Sequence, residues 1–92
     1  MSWQVVYDQK KFQKKRLPAM VAATMELLVA EIEQSGPVRG NWPNYSKLQK
    51  NRHHCHLKKG KPTYVAVWED IGKKKVKLVE IIYVGSHENA PY

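Results

Sequence analysis

The chain has 92 residues, with 16 lysines and arginines against 8 aspartates and glutamates, and a formal net charge of +8 at pH 7. This length predicts one domain over residues 1–92, whose small core excludes a long internal cleft and places any site in a shallow surface groove. There is no apolar run of about 18 residues to span a membrane, and the single cysteine, Cys55, excludes an internal disulfide and favours a reducing, cytoplasmic setting.

The N-terminal half predicts a strand followed by a helical hairpin. Aromatic and β-branched residues over Trp3–Tyr7 favour a strand, and this stretch lacks the order of charged, apolar and small residues that marks a signal peptide. Asp8 can cap a short, mostly solvated helix in DQKKFQKKR. A second helix is predicted in LPAMVAATMELLVAEIEQSG, where apolar residues recur at helical spacing from Val21 to Ile32 and Gly36 gives a stop signal.

The C-terminal half predicts a loop and then a three-stranded antiparallel meander. Pro37–Asn51 is rich in turn residues and is interpreted as a loop. Strands are predicted in HCHLKK, over Pro62–Glu69 and over Val76–Val84. The whole order indicates an α+β domain with the helices on one face of the sheet, so the other face presents polar side chains to water or to a ligand.

A long basic segment lies in the middle of the chain. No acidic residue occurs between Glu33 and Glu69, and a stretch of one sign attracts polyanions such as the phosphate backbone of nucleic acid. The alternative is a solvated basic surface that only keeps the protein soluble. The candidate contacts to RNA or the ribosome in this segment are Arg39, Lys47, Lys50, Arg52, Lys59 and Lys61.

The sequence NRHHCHLKKGK combines three histidines, the cysteine and several lysines. Because a strand alternates its side chains, His54, His56 and Lys58 are predicted to form a row on the open face of the sheet. The alternate set is expected to face the helices: His53, Cys55, Leu57 and Lys59.

Three kinds of chemistry compete for this segment. A zinc site needs about four ligands in paired spacing, but Cys55 and its neighbours His54 and His56 are expected on opposite faces, so neither a metal nor another cofactor is predicted. A thiol in the core is inert, which disfavours Cys55 as a nucleophile. Histidines beside cations suit metal-free RNA cleavage, in which a base activates the 2′-hydroxyl, a cation stabilises the phosphorane and an acid protonates the 5′-oxygen. A solvated histidine face without a role is the remaining alternative.

The element order and two segments resemble the RelE/ParE superfamily of bacterial toxin–antitoxin toxins, over nearly the whole chain. KLQKNRHHCHLKKGKPTYVAVWE looks like that family's KL, basic strand, glycine and apolar strand. VEIIYVGSHENAPY is similar to the family ending of a strand, Val-Gly, a basic residue and a tyrosine. The chain departs from the family where histidine and lysine replace most of its arginines, and lysine lacks the planar fork of arginine.

This resemblance implies a toxin that cleaves mRNA on the ribosome and is bound by a cognate antitoxin protein. It implies no membrane, and either a homodimer or a toxin–antitoxin hetero-oligomer. DNA gyrase inhibition of the ParE type, or a non-catalytic RNA-binding module of the same fold, remain alternatives. His87 is the first choice for proton transfer, Lys58 is expected to stabilise charge and Lys61 to add a phosphate contact. The catalytic positions that the resemblance implies are His54, His56, Lys58, His87 and Tyr92.

Overall fold

The computed structural model describes residues 2–8, 17–73 and 75–92. Within these ranges there is one α-helix and a five-stranded mixed sheet, and no helix there is long and apolar enough to cross a membrane. The helix predicted in DQKKFQKKR falls on residues 9–16, which lie outside the described ranges. The elements are β1 (Gln4–Tyr7), α1 (Ala19–Ser35), β2 (Ser46–Lys47), β3 (Arg52–Lys58), β4 (Tyr64–Asp70), β5 (Leu78–Ser86) and a 3₁₀ turn (His87–Asn89).

The sheet has the strand order β1-β5-β4-β3-β2, and it corrects the predicted three-stranded meander. The meander is present as β3, β4 and β5, but β1 joins it in parallel beside β5. The two-residue strand β2 lies inside the predicted loop and pairs antiparallel with β3. The sequence predicted β1 as a strand but not its pairing with β5, because a parallel partner far along the chain leaves no local signal, and β2 was missed because two residues carry no periodic pattern.

Helix α1 covers one face of the sheet through its apolar side. Val21, Met25, Leu28 and Ile32 are buried there, as the helical spacing predicts. Each fully buried side chain of this size contributes about 1.5–3 kcal/mol. Gly36 ends the helix at φ 94°, and its N–H donates to the carbonyl of Ile32. A β-carbon at Gly36 would lie 3.0 Å from the Trp3 indole, so both backbone angle and space require glycine.

The sheet face away from α1 is partly apolar and partly covered. Val65 and Val67 of β4 are fully buried, although neither belongs to the cluster of side chains packed under α1. The register places Val67 opposite His54 and Val65 opposite His56, so these valines share a face with the two histidines. The face that the sequence predicted to be open and polar therefore carries the histidine rings, but it also includes two buried valines.

Candidate active site

Strand β3 sorts its residues between the two faces of the sheet. His53, Cys55 and Leu57 are buried, whereas His54 and His56 are half-buried on the opposite face, and this confirms the predicted alternation. On the buried side, the His53 ring stacks on the indole of the buried Trp68 at a centroid distance of 5.9 Å, and this packing helps to hold β3 in place.

The end of β3 departs from the prediction in two ways. The pairing with β4 shifts between His56 and Lys58, so that Lys58 lies opposite Tyr64 while His56 lies opposite Val65. This irregularity interrupts the predicted row of His54, His56 and Lys58 after its second member. Lys59, expected to face the helix, follows the end of the strand and is exposed.

Four rings from three parts of the chain form one cluster, which we call the histidine–tyrosine cluster. It contains His54 and His56 of β3, His87 of the 3₁₀ turn, and Tyr92. The Tyr92 ring stacks on His54 with centroids 4.4 Å apart and planes at 16°. His87 meets His56 edge to face at 5.7 Å and Tyr92 edge to face at 5.9 Å. The structure thus brings together four of the five positions that the resemblance assigns to catalysis.

A groove of about 620 Å³ opens beside this cluster. His56 and His87 line it, together with Lys61, Glu88 and the turn between β3 and β4. The position of His87 is set by the main chain, since its backbone N–H donates to the carbonyl of Thr63 at 2.7 Å. Two imidazoles and an ammonium group therefore border one shallow surface, as expected for a domain of this size.

The environment keeps the strand histidines uncharged near neutral pH. Burial lowers the pKa of His54, and the neighbouring His56 and His87 lower it further. Burial also lowers the pKa of His56, helped by His87 and by the Lys59 ammonium. A neutral imidazole carries one free lone pair, so His56, which lines the groove, can accept a proton and act as a base there.

His54 has an unusual set of partners. Its Nε2 lies 2.7 Å from the hydroxyl oxygen of Ser46, which is directly opposite it on β2. Its Nδ1 is buried and has no hydrogen-bond partner. Sequence reasoning missed Ser46, because β2 lies within a stretch that has the composition of a loop.

Cys55 is unsuited to chemistry. Its side chain is fully buried, and burial raises the pKa of its thiol to about 12, so the thiolate is absent at neutral pH. Across residues 2–8, 17–73 and 75–92, no three histidine, cysteine or acidic side chains are grouped so that they could hold a metal ion. That the protein works without a metal or other cofactor stays a prediction.

The candidate RNA contacts divide into paired and unpaired cations. Arg39 is bonded to Glu31 at 3.1 Å, and Arg52 to Glu69 at 3.0 Å. Glu31 also accepts from Trp42 at 3.0 Å, so this carboxylate anchors the loop after α1. The lysines of the basic segment are exposed, and none forms an ion pair with a described carboxylate: Lys47, Lys50, Lys58, Lys59 and Lys61.

Comparisons with known proteins identify the fold. No family model matches the sequence, and no curated protein matches it. Among solved structures, the chain is similar to the E. coli toxin RelE, in a mutant with two arginines replaced by alanine, in the free state. The TM-score is 0.67 at 20% identity, over 98% of this chain and 88% of that chain. The RelE-like fold expected from the sequence is confirmed.

Proposed function

We propose, on the premise of this RelE-like fold, that the chain is the toxin of a toxin–antitoxin pair and cleaves mRNA on the ribosome. The observation that carries the proposal is the contact between His56 and His87, two imidazoles 5.7 Å apart that line the same groove. Metal-free RNA cleavage needs two proton-transfer groups near one phosphodiester, and this pair meets that requirement.

The two histidines suit different halves of the reaction. His56 is assigned as the base, because its lowered pKa keeps it unprotonated near neutral pH and able to take the proton of the 2′-hydroxyl. His87 is exposed in the same groove and would donate a proton to the departing 5′-oxygen. The bond from phosphorus to the 5′-oxygen breaks as the 2′-oxygen bonds to phosphorus, which leaves a 2′,3′-cyclic phosphate.

Charge stabilisation and base binding fall to neighbouring side chains. Lys61 lines the groove and is placed to offset the negative charge that builds up on the phosphorane, with Lys58 nearby in sequence as a second cation. Tyr92, next to His87 and nearly half exposed, offers a ring face on which a splayed base could stack. In this proposal, a cognate antitoxin holds the protein inactive in the cytoplasm.

The proposal is tested by inducing the chain alone in growing bacteria and pulse-labelling protein and DNA. We expect protein synthesis to stop first, with cuts in translated mRNA mapped by primer extension. The matched control replaces both His56 and His87 by Gln, which removes both titratable groups but preserves the described backbone contacts. If DNA replication stops before protein synthesis, the protein is a gyrase inhibitor. If ribosome binding occurs without cuts, it is a non-catalytic module.

A further inference from the structure

We infer that Ser46, His54 and Tyr92 form a column in which an uncharged His54 ring supports the tyrosine, and in which Ser46 and His54 are positioning residues. His54 would then have no part in proton transfer. The inference deepens the proposed function, on which it rests for the role of Tyr92 toward RNA. The arrangement of the column itself depends only on contacts within the chain.

The lower part of the column is a hydrogen bond between neighbouring strands. Ser46 of β2 lies directly opposite His54 of β3, and its hydroxyl oxygen is 2.7 Å from His54 Nε2. A hydroxyl can donate or accept, so this contact alone leaves the tautomer of the imidazole open. The second ring nitrogen decides it.

Nδ1 of His54 is buried and has no partner. If Nδ1 carried the proton of the neutral ring, a buried N–H donor would be left unsatisfied. Placing the proton on Nε2 avoids this, because Nε2–H then donates to the Ser46 oxygen and leaves only a bare lone pair at Nδ1. Ser46 thus selects the Nε2–H tautomer of His54.

Charging His54 is disfavoured by burial and by the neighbouring histidines. A proton on Nδ1 would be buried without an acceptor, next to His56 on the same strand and His87 on the 3₁₀ turn. Ser46 offers only a neutral hydroxyl, and the opposing residue on β4 is the apolar Val67. With Nε2 bonded to Ser46 and Nδ1 covered, neither nitrogen is available to a phosphodiester.

The upper part of the column places Tyr92. Its ring lies nearly parallel to His54 at 4.4 Å and stands at 87° to the His87 ring, with centroids 5.9 Å apart. A flat, uncharged ring under Tyr92 therefore determines where a stacked base would lie relative to the groove. His54 affects substrate binding through Tyr92, and its effect should appear in KM rather than in the pH dependence of kcat.

The first test reads the tautomer without any cleavage assay. Two-bond ¹H–¹⁵N correlation spectra of the full chain, recorded from about pH 8 downward, should show His54 in the neutral Nε2–H form at the start and a protonation midpoint below that of a free imidazole. Ser46→Ala, which removes the hydroxyl, should give a mixture of the two neutral tautomers, whereas Ser46→Thr, which keeps a hydroxyl, should retain the Nε2–H form. An Nδ1–H tautomer, or protonation of His54 with the midpoint of a free imidazole, would overturn the inference even if the protein cuts mRNA.

The second test separates support from proton transfer. His54→Phe keeps a flat ring under Tyr92 but has no nitrogen, so its kcat and pH profile should stay near wild type. His54→Ala removes the support, and KM should rise about tenfold, in the range expected when one base no longer stacks on an aromatic ring. A hundredfold loss of kcat in His54→Phe, with an altered pH profile, would make His54 a proton-transfer residue. If the wild-type chain cuts no mRNA, the proposed function fails, but the spectra still show whether His54 is the neutral Nε2–H form that the column requires.

Discussion

The rings of His56 and His87 meet edge to face at 5.7 Å, although His56 lies in β3 and His87 follows β5. The main chain fixes this meeting, because the His87 N–H is bonded to Thr63 in the connection between β3 and β4. The imidazole of His87 is exposed and can be changed without disturbing that bond. Its chemical role can therefore be tested apart from the fold.

Replacing His87 by Gln should lower cleavage by about 10²–10⁴-fold, the usual contribution of general acid–base catalysis. Glutamine keeps a hydrogen-bonding side chain but has no titratable proton near neutral pH. Single-turnover cleavage of mRNA on programmed ribosomes measures the loss, and ribosome binding should be nearly unchanged. A wild-type rate in this variant would remove His87 from the mechanism and direct attention to His56.

Replacing His53 by Gln should lower the stability of the fold more than the rate of cleavage. His53 is 3% exposed, stacks on Trp68, and its Nδ1 lies 2.6 Å from the Tyr45 hydroxyl. Removing the stack and the hydrogen bond should lower the free energy of unfolding by about 1–3 kcal/mol, measured with urea. An unchanged unfolding midpoint would show that this stack does not stabilise the core.

Stability should fall as the pH drops below about 6.5. The pKa values of His53, His54 and His56 are all lowered from 6.5, in each case chiefly by burial. Between the folded and unfolded pKa values the unfolded chain binds more protons, so this stabilisation is complete above 6.5 and is lost on acidification. Melting temperatures at about pH 8, 7, 6 and 5 measure the effect. His53→Phe, with one fewer titrating group, should show a smaller fall. A melting temperature that rises on acidification would contradict the assignment.

Binding to ribosomes should weaken steeply with salt, through the unpaired lysines more than the paired arginines. Replacing Lys59 and Lys61 by Gln should reduce the slope of log affinity against log salt by about one for each lysine that binds a phosphate in the wild-type protein. The matched control is Arg39→Gln, because that guanidinium is already bonded to Glu31 and its removal should change the slope little. If affinity is the same at low and physiological salt, the basic segment has no role in binding.

Purified protein should contain far less than one metal ion per chain. A zinc site requires about four ligands, and in the described part of the chain no three suitable side chains are grouped to hold an ion. Elemental analysis after purification without chelators or affinity metal is the measurement. About one zinc per chain that survives dialysis would refute the prediction, and the histidine–tyrosine cluster would be the first place to look for it.

The parts of the fold that could be predicted are those with a strong period. Helix α1 follows from the apolar spacing between Val21 and Ile32, and the faces of β3 follow from alternation between His53 and His56. Strand β2 could not be found, since it has only two residues, and the pairing of the predicted strand β1 could not be found, since its partner β5 comes from the other end of the chain. Neither pairing leaves a mark on local sequence.

For the candidate site, the sequence named the four rings that the structure groups together, but it did not predict the contacts among them or with Ser46. Helix spacing and strand alternation cannot show that Ser46 lies opposite His54, or that Glu69 neutralises Arg52. Those contacts depend on how neighbouring strands are aligned in the sheet, and the sequence of a single strand does not show this alignment. The interruption after His56 is equally invisible, because the shift that causes it arises where β3 meets β4.

The position of β5 between β1 and β4 has a consequence for synthesis. As the chain emerges, β1 has no sheet partner until the residues of β5 follow, so the pairing of β1 with the sheet forms late. The turn that carries His87, and the segment that carries Tyr92, follow later still. A nascent chain therefore exposes its basic segment before the groove has formed. The proposed cleavage site is complete only after nearly all of the domain has been translated.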